Sequence, residues 1–183
     1  MRAIYVILLS TALFVGNSYG LSDSFKVSII QNLEVSLNKD SVYVWGATGS
    51  DKNGKFQVDC SGLGYYITSA VRKAGIPIKR TVSERMSYGL DGWDSKEIGI
   101  HDADEADMIF FTFSNTRPRG HVGYMKLHTK KQLLMIVHAS SSRKRVVHEA
   151  LNGDLLEHYV VIRRPTWGDK KQPVLGKGVI KLK

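Results

Sequence analysis

The sequence is poor in cysteine and has no repetitive segments. Only one of its 183 residues is cysteine, and there is neither an internal repeat nor a low-complexity segment. The length predicts one domain with its own hydrophobic core. A single cysteine cannot form a disulfide within the chain, so a disulfide-stapled fold is excluded. The thiol of Cys60 is therefore an intermolecular linker, an inert buried group or a group kept for chemistry.

No apolar run is long enough for a comfortable membrane span, which needs about 20 residues. The longest run, Ala3 to Gly16, follows Arg2 and precedes the small-residue site Ser18-Tyr19-Gly20. This pattern predicts a signal peptide over residues 1–20, cut before Leu21. The protein is then exported to the periplasm or secreted, with no stable membrane insertion afterwards. A retained N-terminal anchor is the alternative.

Acidic residues are scarce relative to basic ones. The chain has 26 Lys and Arg against 17 Asp and Glu, a formal net charge of +9. Such a surface favours polyanions such as cell-wall polymers, anionic lipid headgroups or nucleic acid. The chain lacks zinc-finger spacing and any basic stripe interleaved with aromatics, so a nucleic-acid partner is not expected. Residues 165–183 form a basic C-terminal extension, interpreted as a solvated segment, and a monomer is expected.

The first half of the domain has helical signals. Apolar residues recur at helical spacing over residues 24–37, which predicts an amphipathic helix. A loop is expected from Gly46 to Gly54. A second helix is predicted from Cys60 to Lys73, because Asp59 is a good N-cap and Gly75 is a stop signal.

The second half has strand signals. Alternating and β-branched residues predict four strands there. Because helices come first and strands second, the fold class is α+β, with N-terminal helices packed on a central antiparallel sheet. The predicted strands are Met108 to Phe113, Val122 to Leu127, Leu133 to Val137 and Tyr159 to Ile162.

The start of a helix changes what a thiol can do. Unpaired backbone N–H groups and the helix dipole stabilise an anion there, so the position of Cys60 predicts a lowered thiol pKa. Ser61 and Gly62 are small and leave the sulfur approachable. The carboxylate of Asp59 would disfavour a thiolate, unless it caps the helix and turns its oxygens towards the backbone.

A cysteine nucleophile needs a base and a group that orients the base. Six histidines are present. His121 opens the stretch H-V-G-Y-M-K-L and His138 closes the stretch Q-L-L-M-I-V-H, so a hairpin turning at Thr129-Lys130 places them opposite each other on one face. A loop from His128 to Lys131 gives the same register, whereas a slip of one residue separates the pair. For the other four histidines, a surface or core role is expected. No H-E-x-x-H or similar ligand pair occurs, so no metal or cofactor is predicted.

Five sequence blocks, taken together, resemble a known family. In this order they resemble the NlpC-type cell-wall peptidases, which are papain-like cysteine peptidases, over a domain of residues 21–164. The sequence departs from the family pattern at Ala47, where glycine is usual, and at Gly64, where a larger apolar residue is common. The blocks are Y-V-W-G-A-T-G (43–49), V-D-C-S-G-L (58–63), E-A-D-M-I-F-F (105–111), R-G-H-V-G-Y-M (119–125) and I-V-H-A-S (136–140).

The resemblance implies a Cys-His-His catalytic triad. Cys60 would be the nucleophile, His121 the general base and acid, and His138 the residue that orients His121. The family also implies substrate contacts from Tyr43, Asp59 and Ser61. It implies hydrolysis of peptidoglycan stem peptides, most often between γ-D-glutamate and diaminopimelate or lysine.

The alternatives are a non-catalytic peptidoglycan-binding domain, or an amidase or lipid acyl hydrolase on the same scaffold. Asp59 has two open roles, helix cap and substrate contact.

Overall fold

A computed structural model describes residues 21–113, 117–128, 130, 133–151 and 153–168. Its helices are α1 (Asp23–Asn38), α2 (Cys60–Ile67), α3 (Ser69–Lys73), α4 (Ser83–Ser87) and α5 (Gly153–Glu157), with a 3-10 turn at Ile100–Asp102. Its strands are β1 (Ser41–Tyr43), β2 (Thr48–Lys52), β3 (Lys55–Val58), β4 (Ser95–Ile98), β5 (Met108–Phe111), β6 (His121–His128), β7 (Leu133–Ser140), β8 (Arg145–Ala150) and β9 (Tyr159–Pro165).

The strands form two sheets. The larger sheet has the order β4-β9-β5-β6-β7-β8, and its neighbouring strands are antiparallel. The smaller sheet has the order β1-β3-β2, with β1 parallel to β3 and β2 antiparallel to it. Helices α1 and α2 pack together, and α2 also packs on β6 and β7. This is the predicted α+β, papain-like architecture.

The central strands of the larger sheet, β9, β5, β6 and β7, are buried on both faces because their alternate residues enter different clusters. In β5, Met108 and Phe110 join the cluster that contains the helices, while Ile109 and Phe111 join a second cluster. Helix α1 contributes to the first cluster through residues at helical spacing, including Ile29 and Leu33. Strands β6 and β7 are therefore packed on both sides where they contact α2.

The helical predictions are confirmed with one break. The first helix covers residues 24–37 as predicted, but the second is divided into α2 and α3 at Thr68. The hydroxyl of Thr68 donates to the carbonyl of Gly64 at 2.9 Å, the back-bonding that often bends helices. The predicted loop from Gly46 to Gly54 is wrong in part, because it contains β2, whose polar residues are largely exposed and paired with β3.

The packed fold continues beyond residue 164. Pro165 pairs with Ser95 in the sheet, and Trp167 is buried against Trp93 with a ring-centroid distance of 5.6 Å. The predicted signal peptide (1–20) and most of the predicted basic extension lie outside the described residues. Within the part of the chain that is described, no helix is long and apolar enough to cross a membrane.

Candidate active site

Cys60 is the first residue of α2, and the preceding turn is held by Asp59. The Asp59 carboxylate accepts hydrogen bonds from the backbone N–H groups of Gly62 (2.6 Å) and Gly46 (2.8 Å). The predicted N-cap is therefore confirmed. The turn is tight: a Cβ atom on Gly62 would lie 1.9 Å from the carbonyl oxygen of Ala47. Glycine after C-S is thus a steric requirement of this helix start.

The Asp59 carboxylate is also neutralised inside the protein. Nη2 of Arg80 lies 2.8 and 2.7 Å from its two oxygens, and Asp59 is only 3% exposed. Ser61 joins the same network, because its hydroxyl donates to Asp59 at 3.2 Å and accepts from Nη1 of Arg80 at 2.7 Å. Sequence reasoning missed Arg80. A buried carboxylate implies a cationic partner, but no local pattern selects one among 26 basic residues.

Cys60 is buried, with only 4% of the residue exposed. Its side-chain hydrogen-bond partner among the described residues is the hydroxyl of Ser83, at 3.4 Å, rather than His121. Burial raises the pKa of the thiol, and the Asp59 charge adds to this. Hydrogen bonds from Ser83 and from the backbone N–H groups of Val122 and Ser61 act in the opposite direction. The expectation of a lowered pKa, based on the helix start alone, is not met because burial outweighs it.

His121 and His138 are in direct contact, as predicted. Nε2 of His121 lies 2.8 Å from Nδ1 of His138, and the two rings are almost perpendicular. The predicted register was wrong by two residues, since Tyr124 pairs with Val137 and His128 with Leu133. A shift of two keeps both imidazoles on one face of the sheet, so they meet diagonally instead of directly opposite.

A third group extends this pair. Oε1 of Glu149 lies 2.6 Å from Nε2 of His138, and Glu149 comes from β8, where it pairs with Ile136 of β7. Burial lowers the pKa of His138, while Glu149 acts to raise it. Burial, followed by the proximity of His138, lowers the pKa of His121 to about 3. Both imidazoles are therefore neutral at pH 7.

Tyr43 ends β1 and lies near the thiol. Burial, followed by the neighbouring charges of Cys60 and Asp59, raises the pKa of its hydroxyl to about 12. The hydroxyl therefore remains protonated at neutral pH and can donate a hydrogen bond. The structure thus gathers the predicted residues into two groups: Tyr43 and Asp59 lie around Cys60, and His121 is held by His138.

A cleft of about 300 Å³ opens at the sulfur, a volume at the lower end of the usual range for ligand sites. At its mouth, the ring of Trp45 is 66% exposed, and the Arg117 guanidinium lies 5.2 Å from the ring centroid. No group of three or more metal-binding side chains occurs in the described parts of the chain. The lining residues are Trp45, Gly46, Asp59, Cys60, Ser61, Arg80, Val82, Ser83, Glu84, Arg117, Pro118 and Gly120.

Comparison with known proteins identifies the family. A model of the NlpC/P60 family matches residues 40–164, which include the cleft and both histidines. The chain belongs to the NlpC/P60 family. The match covers every predicted site residue, from Tyr43 to His138. No curated protein sequence matches the chain significantly.

Solved NlpC/P60 structures share the fold. A protein from Staphylococcus aureus, described as similar to lipoprotein, is 23% identical with a TM-score of 0.55. The match covers 80% of this chain and 43% of the staphylococcal chain. The P60 domain of a Mycobacterium avium subspecies paratuberculosis antigen is 19% identical with a TM-score of 0.52, covering 79% and 96%. The peptidoglycan hydrolase RipB from Mycobacterium tuberculosis is 18% identical with a TM-score of 0.52, covering 79% and 65%.

These NlpC/P60 relatives differ in length. The chain spans 43% of the staphylococcal protein and 40% of a Bacillus cereus family member, but nearly all of the Mycobacterium avium domain. At these identities, the likeness is one of fold.

Proposed function

We propose that the protein is a cysteine endopeptidase that hydrolyses peptidoglycan stem peptides. The observation that carries the proposal is the placement of Cys60 at a helix start on a cleft, beside a strand whose first residue is a histidine held by a second histidine. Membership of the NlpC/P60 family supports it. RipB, which shares the fold, is named a peptidoglycan hydrolase. The bond we propose is that between γ-D-glutamate and diaminopimelate or lysine.

The reaction is acyl transfer. The sulfur of Cys60 attacks the amide carbonyl while Nδ1 of His121 takes the thiol proton, forming a C–S bond. His121 then returns that proton to the leaving amine as the C–N bond breaks, and water hydrolyses the thioester. Because thiol and imidazole both start neutral, proton transfer accompanies the attack. Before attack, the thiol must give up its hydrogen bond with Ser83 and form one with His121. Such a change is compatible with catalysis, because catalytic hydrogen bonds often tighten only when substrate is bound.

The surroundings of the sulfur suit this chemistry. The backbone N–H of Cys60 and the protonated hydroxyl of Tyr43 are the donors we assign to the developing oxyanion. Trp45 and Arg117 at the mouth offer an apolar surface and a cation to the stem peptide. Asp59 and Ser61 line the cleft but are already bonded to Arg80, so we assign Asp59 mainly to the helix cap and ion pair.

The decisive test uses defined muropeptides. Purified residues 21–183 are incubated with disaccharide tetrapeptides carrying diaminopimelate or lysine, and the products are identified by mass spectrometry. We expect cleavage after γ-D-glutamate, and none by Cys60→Ala. Circular dichroism of both proteins checks that they are equally folded. Equal cleavage by Cys60→Ala contradicts the proposal, and release of the intact peptide from muramic acid reassigns the protein as an amidase.

One observation favours a second function. Cys60 is 4% exposed, and its thiol has a raised pKa and bonds with Ser83, as expected for an inert cysteine in a peptidoglycan-binding domain. A binding domain would be pulled down by insoluble peptidoglycan without releasing fragments, and Cys60→Ala would bind equally. Turnover in the muropeptide assay excludes it.

We also propose that residues 1–20 are a cleaved signal peptide and that the enzyme acts outside the cytoplasm. The supporting pattern is the short apolar run between Arg2 and Ser18-Tyr19-Gly20. N-terminal sequencing of protein recovered from the expressing cell tests this directly. We expect Leu21 as the first residue. Recovery of chains that begin at Met1 contradicts the proposal.

A further inference from the structure

We propose that Glu149 is a positioning residue that fixes which nitrogen of each imidazole carries a proton, and thereby leaves Nδ1 of His121 as the proton acceptor. The inference deepens the proposed function and rests on it for its catalytic consequence. Its structural content, the protonation pattern of His138 and His121, can be measured without a substrate. Glu149 does not reach the reacting atoms and acts through both rings.

The argument starts from the outermost contact. A carboxylate can only accept hydrogen bonds, so the 2.6 Å contact between Oε1 of Glu149 and Nε2 of His138 requires a proton on that nitrogen. In a neutral imidazole the other nitrogen is then an acceptor. Nδ1 of His138 therefore carries no proton and presents a lone pair to its neighbour. Burial, which lowers the pKa of His138, keeps the ring neutral at pH 7.

The contact between the two imidazoles then determines which nitrogen of His121 carries a proton. Nδ1 of His138 lies 2.8 Å from Nε2 of His121, so Nε2 of His121 must carry a proton and donate it. Nδ1 of His121 is then left unprotonated in the neutral ring. This is the nitrogen that a general base needs to take a proton from Cys60. Without Glu149, Nδ1–H of His138 can instead donate to Nε2 of His121. The proton of the neutral His121 ring then lies on Nδ1, which can no longer act as a base.

The carboxylate has a second effect, on charge. When His121 accepts the thiol proton, its ring becomes positive in apolar surroundings, with the rings of Phe111 and Phe113 within 5.9 Å of it. A negative group two hydrogen bonds away favours that positive charge. Glu149 is placed for this without reducing access to the cleft, because it approaches from β8 on the far side of His138.

The side chain can be changed without removing the strand that carries it. The backbone of Glu149 pairs with Ile136, and β8 is paired with β7 from Arg145 to Ala150. Glu149→Leu removes the acceptor and the charge, while Glu149→Asp keeps both on a shorter side chain. Glu97→Gln is the matched control, since Glu97 is an exposed glutamate on the edge strand β4 of the same sheet.

The first measurement is the ¹⁵N chemical shift of the histidine ring nitrogens. In the unmodified protein, we expect a proton on Nε2 and none on Nδ1 for both His121 and His138. Glu149→Leu is expected to populate the reverse pattern in both rings, and Glu149→Asp to restore the original one in part. A proton on Nδ1 of His138 in the unmodified protein overturns the proposal even if every variant fails to fold. Unchanged ring protonation in a folded Glu149→Leu protein overturns it too.

The second measurement is kinetic. Outer-shell partners of metal-bound histidines matter by about 10- to 100-fold, and by analogy we expect a loss of that size in kcat for Glu149→Leu with KM almost unchanged. Glu149→Asp should recover part of it, and Glu97→Gln should match the unmodified protein. A loss confined to KM would contradict a positioning role. If the unmodified protein cleaves no muropeptide, the proposed function fails, while the ring protonation still decides the role of Glu149.

Discussion

His138 supports His121 diagonally across two neighbouring strands, with 2.8 Å between Nδ1 of one and Nε2 of the other. Gly123 of β6 lies beside His138. A Cβ atom there would lie 3.5 Å from Cβ of His138 and 2.4 Å from Cγ2 of Ile136. A side chain at the glycine of H-V-G would therefore displace Ile136, which shares a face of β7 with His138.

Removing the support should impair the chemical step. His138→Leu takes away the acceptor for Nε2–H of His121, so this ring can turn and protonate at the wrong nitrogen. On the proposed function, we expect kcat for muropeptide cleavage to fall about a hundredfold or more, with little change in KM. His101→Leu, which alters an exposed histidine of the 3-10 turn, is the control. Equal activities of the two variants would show that His138 does not support catalysis.

The thiol should behave as a weak acid. Because burial raises the pKa of Cys60, the reactive thiolate is a small fraction at pH 7 and grows as the pH rises. We expect alkylation by iodoacetamide to be slow at pH 7 and to accelerate about tenfold per pH unit towards pH 9. The rate is followed by mass spectrometry of the intact protein. A plateau of fast alkylation between pH 5 and 7 would instead indicate a thiolate–imidazolium pair.

Ser83 should tune that acidity. Its hydroxyl lies 3.4 Å from the sulfur, and this hydrogen bond acts to lower the pKa of the thiol. Ser83→Ala should therefore move the alkylation profile to higher pH. Ser87→Ala is a matched control, because Ser87 is also buried in α4 but donates to the carbonyl of Glu84. Identical profiles for both variants would show that Ser83 has no influence on the thiolate.

Gly64 and Tyr124 should be energetically coupled. A Cβ atom on Gly64 would lie 2.0 Å from the hydroxyl oxygen of Tyr124, so Gly64→Ala should lower the free energy of unfolding by about 1–3 kcal/mol. In a Tyr124→Phe background the oxygen is gone, and the same substitution should cost less. Urea unfolding of the four proteins measures the coupling. Additive effects would mean that the clash is relieved elsewhere.

Asp59 and Arg80 should form a second coupled pair. Arg80→Met leaves the Asp59 carboxylate buried without a cation, which should cost about 3–5 kcal/mol of unfolding free energy. Adding Asp59→Asn removes that charge but keeps an oxygen for the helix cap. The double variant should therefore be more stable than Arg80→Met alone. If it is less stable, the cap needs the negative charge itself.

Features that depend on neighbours in sequence could be predicted. The start of α2 at Cys60 and its cap at Asp59 follow from local hydrogen bonding, which adjacent residues determine. The contact between His121 and His138 was predicted from a wrong register. Side chains along a strand alternate between the two faces of the sheet. An error of two residues in the register therefore left both histidines on the same face.

Features that depend on distant segments could not be predicted. Glu149 lies on β8, a strand without a clear signal after a basic turn, and Arg80 lies in the connection before α4. Both reach the site only through tertiary packing. The same reason explains the thiol pKa: a helix start is visible in the sequence, but the burial of Cys60 beneath Ser83 is not.

Ser22 and Trp167 lie side by side, close to the two ends of the part of the chain that the structure describes. The backbone N–H of Ser22 donates to the carbonyl of Trp167 at 3.1 Å, and a Cβ atom on Gly168 would lie 2.9 Å from that of Ser22. Tension applied through residues 22 and 167 therefore acts directly on this hydrogen bond and separates the two segments, instead of stretching the sheet along its strands. We expect the cleft to keep its geometry under mechanical load until this contact is lost.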